Sequence, residues 1–186
     1  LHDGETSVAR NDIERLPLLE AVDRMEQVFT GPLNPEKEVE LGLFKLRVPQ
    51  FPLEGVREAV LNALTHRDYL NPGEVLVRHS AGELVVTSPG GFVAGITPDN
   101  ILRHEAVPRN RTLANALVKL RLVESSGIGR RRIFRSALVY GKRRPEYQTD
   151  GHSVTLRMFN REAHDALARL IARLDAQGAE VALDQL

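Results

Sequence analysis

Between positions 54 and 69 the chain reads EGVREAVLNALTHRDY, with Val56, Ala59, Val60, Ala63 and Leu64 at helical spacing. That spacing predicts a core-packing helix, inward by Val56, Ala59, Val60 and Ala63. On another flank Glu58, Asn62 and His66 recur every four residues and form a polar stripe. Asparagine inside a helix is unfavourable because its amide competes for local backbone groups.

The same patterning predicts the other elements. Asp12 reads as the N-cap of a helix running to about Phe29, with Ile13, Leu16, Leu19, Val22 and Val28 apolar and Pro17 near its start. TGPLNPEK is a loop, and VELGLFKLRV, 39–48, alternates as one strand ended by PQFP. EVLVRHS and ELVVTS flank Ala81-Gly82, the pattern of a two-residue hairpin. PGG at 89–91 breaks the second of these strands, and 93–111 is loop-like, with a short helix expected after Thr97-Pro98. Helices are expected over 112–121, after SSGIG in RRRIFRSALVYG, and over 161–177; HSVTLRMF is a strand after the turn at Thr149-Asp150-Gly151. Helices mixed with hairpin strands, without strict βαβ alternation, imply an α+β two-layer sandwich. Its helices would cover one face of a mixed or mostly antiparallel sheet.

Composition narrows the function classes. The 186 residues suit one domain or one and a half, and 25 basic against 25 acidic residues give zero net charge. No global field therefore draws this chain onto nucleic acid or anionic lipid. With no cysteine there is no disulfide, thiolate metal site or cysteine nucleophile, which fits a cytoplasmic protein. No run of about 18 apolar residues is present, so no membrane-spanning helix is expected. The chain opens Leu1-His2-Asp3-Gly4, without an initiator Met or a signal pattern, and reads as a segment of a longer protein.

Four stretches could carry chemistry. Glu58 and Asn62, at i and i+4, aim a carboxylate and an amide carbonyl at one spot. They suit a water and Mg²⁺, or simply form a solvated helix flank. SPGG at 88–91 is a tight turn or a place where backbone meets a ligand. In SSGIGRRRIF, Gly127 and Gly129 open a helix whose free amides suit phosphate, or they merely loosen its start. The arginines from Arg130 to Arg144 form a solvated face or a nucleic-acid contact. In VPRNRTLAN, Arg109 and Arg111 could meet phosphate or pair with Asp99 or Glu105. The histidines at 79, 104, 152 and 164 lack metal-ligand spacing.

Taken in order, REAVLNALTHRDY, SPGGFVAGIT, the Arg109-Asn110 pair and ESSGIGRRRI resemble the signature of the RecG-like ATP-dependent DNA helicase C-terminal domain family. That family is similar to the GHKL, or Bergerat-fold, ATPases such as gyrase and histidine kinases. The resemblance spans roughly residues 12–160, between a flexible segment, 1–11, and a C-terminal helix, 161–186, leading to an absent winged-helix domain. It implies that Glu58 activates the attacking water and that Asn62 holds Mg²⁺. Ser88, Gly90 and Gly91 would lie beside the adenine, with Arg109, Asn110, Gly127 and Gly129 completing the nucleotide site. Residues 93–111 would form the ATP lid. Ser88 and Pro89 stand where the GHKL first glycine box begins with an aspartate, and Phe92 replaces its second glycine. The implied function is ATP binding, with Mg²⁺-dependent hydrolysis, in a DNA-associated transcriptional regulator. No helicase motif is present. DNA would be met mainly through flanking Alba-like, Schlafen-type and winged-helix domains, and the protein would be a homodimer. The rival function is a non-catalytic dimerisation or scaffold domain of such a regulator.

Overall fold

The computed structural model describes residues 12–31, 33–41, 44–93, 95–123 and 128–161. The N-terminal segment 1–11, Gly127 and the helix expected over 161–177 (beyond its first residue) lie outside the described residues. The elements in chain order are α1 (Leu18–Thr30), β1 (Glu36–Leu41), β2 (Phe44–Pro49), α2 (Leu53–His66), β3 (Leu76–His79) and β4 (Glu83–Pro89). They continue with α3 (Arg111–Lys119), α4 (Ile128–Val139), β5 (Glu146–Thr149) and β6 (Ser153–Phe159).

The main sheet has the order β3-β4-β6-β5, and every pairing in it is antiparallel. Its inner face follows from period-two alternation. Leu84 pairs with Met158 and Val86 with Leu156, and all four are buried. On the outer face Thr87 meets Thr155 at 3.1 Å, and Arg157 pairs with Glu83 at 2.6 Å. Ser80 N–H bonds to Glu83 O at 2.9 Å, leaving Ala81-Gly82 as the expected two-residue hairpin loop. Helices α2 and α4 lie over the inner face, where Val56, Ala59, Ala63, Ile133 and Phe134 join the sheet residues in one apolar core. This is the α+β architecture expected from the sequence, with its helices layered on an antiparallel sheet.

Three local expectations are corrected. Helix α1 starts at Leu18 rather than just after Asp12, with Pro17 as its N-cap. Proline disfavours the helical conformation in the residue before it, so Leu16 cannot continue a helix into Pro17. The stretch 39–48 is not one strand but two, with Leu41 paired to Phe44 across a reversal. After Thr97-Pro98 there are successive turns instead of a helix, held by mutual Thr97–Asn100 bonds of 2.7 and 3.3 Å.

Asn34 fixes how α2 enters the core. Its Nδ2 donates to Phe29 O at 3.1 Å and to Phe51 O at 2.8 Å, while its Oδ1 accepts from Phe51 N–H at 2.7 Å. Phe51, two residues before α2, is fully buried, so water cannot replace these partners. Asn34→Ala therefore strands buried backbone groups and should cost roughly 2–4 kcal/mol. Chemical denaturation checks this, and a loss below about 0.5 kcal/mol, the range of neutral surface changes, would contradict it.

Candidate functional site

The polar flank of α2 opens into a cavity of about 230 Å³ between α2, α4 and the sheet. Glu58, Asn62 and His66 line it from α2; Ser88, Gly90 and Gly91 from the end of β4; Gly129 and Arg130 from α4. The wall between 93 and 109 is largely apolar, with Ile96, Ile101 and Val107 facing the space. Glu58 is 3% exposed, so the opening of the stripe is not a solvated flank at its first residue.

Helix α4 begins at Ile128, and Gly129 sits in its first turn directly on the stripe. A Cβ at Gly129 would collide with Glu58 Oε2 and come within 3.9 Å of Asn62 Nδ2. Any side chain at this position would have to displace the Glu58 carboxylate. Amides of a helix's first turn have no intrahelical acceptor, so this end of α4 is polar and electropositive where it meets the cavity.

A single guanidinium serves two carboxylates beside it. Arg132 Nη1 lies 3.2 Å from Glu58 Oε1, and its Nε lies 3.6 Å from Glu54 Oε1. His66, at the other end of the stripe, is held neutral. Burial, then the charges of Arg130 and Arg109, lower its pKa from 6.5 to about 4. Tyr147, on β5, lies between Phe134 and Phe92, with ring centroids 6.2 Å away in both cases. Burial raises its phenol pKa; Arg130 opposes that shift and Glu58 adds to it.

The glycine turn is wired to α2. Ser88 Oγ donates to Ala63 O at 2.7 Å, so its proton is committed and its remaining lone pairs can accept. Gly90 has φ +98°, a conformation glycine adopts without strain, and its N–H bonds to His152 O at 2.7 Å. Gly91 abuts the backbone of Gly151. Arg109 bridges helix and turn, with Nε on His66 O at 3.1 Å and Nη2 on Gly91 O at 2.5 Å. Asn110 Nδ2 donates to Thr65 O and Arg67 O, both at 2.8 Å, and so satisfies carbonyls at the end of α2.

The cavity thus gathers Glu58, Asn62, Ser88, Gly90, Gly91, Arg109 and Gly129. Asn110 spends its amide on the α2 terminus behind it. Sequence reasoning missed Thr65 and Tyr147. Thr65 continues the helix with nothing to mark it, and Tyr147 lies in a four-residue strand too short to show alternation.

Two buried polar atoms in the cavity wall, Asn62 Nδ2 and Thr65 Oγ1, have no hydrogen-bond partner. A primary amide can turn to offer either its nitrogen or its oxygen, so Asn62 can present a neutral oxygen to a cation. No group of three His, Cys, Asp or Glu side chains clusters among the described residues. The donor set therefore fits Mg²⁺ that takes most of its ligands from phosphate and water, and not a caged metal.

Residues 73–158 match the family model described as "Putative ATP-dependent DNA helicase recG C-terminal". The match begins after α2, so Glu58 and Asn62 join this site through the fold and not through the matched segment. The chain is also similar to the crystal structure of the DIP2311 protein from Corynebacterium diphtheriae, with 31% identity and a TM-score of 0.74. That similarity covers 89% of this chain and 33% of the other, so this chain spans about a third of that protein's length. No curated protein matches the chain. No helix among the described residues is long and apolar enough to cross a membrane.

His66 gives a direct test of the site's electrostatics. The unfolded chain binds more protons than the folded one between about pH 4 and pH 6.5. The stability that His66 contributes is complete above that window and is lost as pH falls through it. Its ring resonances should titrate near pH 4, and a midpoint near 6.5 would contradict the buried, arginine-flanked setting.

Proposed function

We propose that this chain, whose residues 73–158 belong to the RecG-type C-terminal domain family, is a nucleotide-binding domain that takes ATP with Mg²⁺ in the cavity under α4. The observation that carries the reading is the meeting of Gly129, Glu58 and Asn62 at one cavity. A helix start without a Cβ offers amides to phosphate oxygens, and beside it stand a carboxylate and an amide with an unsatisfied atom.

Each residue then has a role its chemistry supports. Ser88, its proton given to Ala63 O, accepts a hydrogen bond from the amino group of the base. Gly90 and Gly91 keep the backbone low beside that base, and Arg109 holds their turn. The first turn of α4, with Gly129, receives the phosphates, and the sequence resemblance adds Gly127 to that role. Asn62 Oδ1 would ligate Mg²⁺, which when bound neutralises phosphate charge. Glu58 accepts a proton from the attacking water as its oxygen bonds to the γ-phosphorus. The bond to the β–γ bridging oxygen breaks, giving ADP and inorganic phosphate. His66, neutral, leaves the positive charges of Arg109 and Arg130 available to the polyphosphate.

In the longer protein this domain would serve a cytoplasmic, homodimeric, DNA-associated transcriptional regulator that meets DNA through flanking domains. Support for that wider setting is the sequence resemblance. The scaffold alternative has one observation in its favour: Arg132 already occupies the Glu58 carboxylate.

Two substitutions separate the readings. Glu58→Gln should abolish hydrolysis while leaving nucleotide affinity within about threefold, because a base acts on the transition state. Asn62→Ala should weaken Mg²⁺-dependent binding by about tenfold or more, since it deletes a ligand. A wild type that neither binds nor hydrolyses ATP would overturn the nucleotide reading and leave Glu58–Asn62 as a helix flank.

A further inference from the structure

Thr65 is a buried polar group of the cavity to which the roles assigned above give no partner. Glu58, Asn62 and Thr65 stand at i, i+4 and i+7 of α2, so the threonine continues the polar flank one turn beyond Asn62. The residue is 5% exposed and lines the cavity, and its Oγ1 has no hydrogen-bond partner among the described residues. A threonine inside a helix can donate to the carbonyl three or four residues back, and Thr65 does not. A buried hydroxyl left unpaired costs stability, and valine would fill the same space without that cost. Threonine at this place points to a partner that arrives with the ligand.

The hydrogen-bonding inventory at this end of the cavity tells what that partner is. Ser88 Oγ donates to Ala63 O at 2.7 Å, so toward the cavity it can only accept. Ala63 and Thr65 lie in one turn of α2, which sets the two hydroxyls at the same end of the cavity. That end is about 10 Å along the helix axis from Glu58, away from the start of α4. It offers one hydroxyl that can only accept and another whose proton is free to be donated. Adenine presents an amino donor with an acceptor ring nitrogen next to it, whereas guanine has a carbonyl oxygen in place of the amino group. Adenine fits the pair. Guanine would set its carbonyl oxygen against the lone pairs of Ser88.

We propose that Thr65 is a ligand-contacting residue that sets base specificity, its Oγ1–H donating to the ring nitrogen beside the amino group that Ser88 accepts. Together the two hydroxyls select adenine over guanine. The inference rests on the nucleotide reading of the cavity and adds to it a residue that reads the base. No covalent step is involved; the Thr65 hydroxyl gains its hydrogen bond only in the loaded state.

Thr65→Val and Thr65→Ser are compared with the wild type by titration with ATP and with GTP, each with Mg²⁺, and by thermal unfolding without nucleotide. The wild type should bind ATP more tightly than GTP by about tenfold or more. Thr65→Val should bind ATP about tenfold more weakly and hold GTP within about threefold. It should also unfold at the same temperature or higher, because it removes an unsatisfied hydroxyl. Thr65→Ser keeps the hydroxyl and should hold ATP within about threefold. Equal wild-type affinity for ATP and GTP, or unchanged ATP affinity in Thr65→Val, overturns the role of Thr65 and leaves the nucleotide reading standing. So does a Thr65→Val that is unfolded, less stable, or weakened toward ATP and GTP alike, because the hydroxyl then serves the fold. Failure of the wild type to bind ATP overturns both.

Discussion

The close approach of α2 and α4 is the constraint on which the rest of the site depends. Each helix carries a glycine at the contact. A Cβ at Gly55 would meet Ser136 Oγ, and one at Gly129 would meet Glu58 Oε2. Two helices that both give up a side chain at the crossing can bring the polar start of one against the flank of the other. Were either glycine replaced by a bulky residue, the first turn of α4 would stand away from the stripe, and the cavity would lose its electropositive end.

That approach has an electrostatic consequence. A carboxylate at 3% exposure is expensive unless its charge is met, and the ion pair to Arg132 meets it. The opposite end of the stripe is handled differently: His66 avoids charge altogether, with two arginines nearby. One cavity therefore holds a paired anion, a neutral imidazole and two buried atoms without partners, Asn62 Nδ2 and Thr65 Oγ1. Unsatisfied polar groups normally cost stability, and a core built for stability alone would have apolar residues there. Their presence in a mostly apolar pocket favours a ligand over a purely structural interior.

Much of this was legible in the sequence, for physical reasons that differ by element. The inward face of α2 was visible because Val56, Ala59, Val60 and Ala63 repeat at the helical period, and all four are buried. The Ala81-Gly82 hairpin was visible because its flanking strands alternate cleanly. The division into β1 and β2, with Leu41 paired to Phe44, was not, since apolar residues on both sides of Gly42 prolong the alternation as if one strand ran through. The site residues divide the same way. The i, i+4 spacing of Glu58 and Asn62 announced a shared direction, and Gly129 announced an open helix start. What spacing cannot convey is partnership across the chain. Arg109 braces the glycine turn through Gly91 O, Asn110 closes the end of α2, and Arg132 holds Glu58 from 74 residues away. Those roles arise only when the loop after 93 and the helix α4 fold back over α2.

The central claim is that the cavity at the α2–α4 contact takes a magnesium nucleotide. Isothermal titration of ATP into the wild-type chain, with Mg²⁺ and again with a chelator, tests it most directly. Saturable binding of one nucleotide per chain, weakening strongly when Mg²⁺ is removed, is the expected result. Absence of binding at millimolar ATP, or binding indifferent to Mg²⁺, would contradict it.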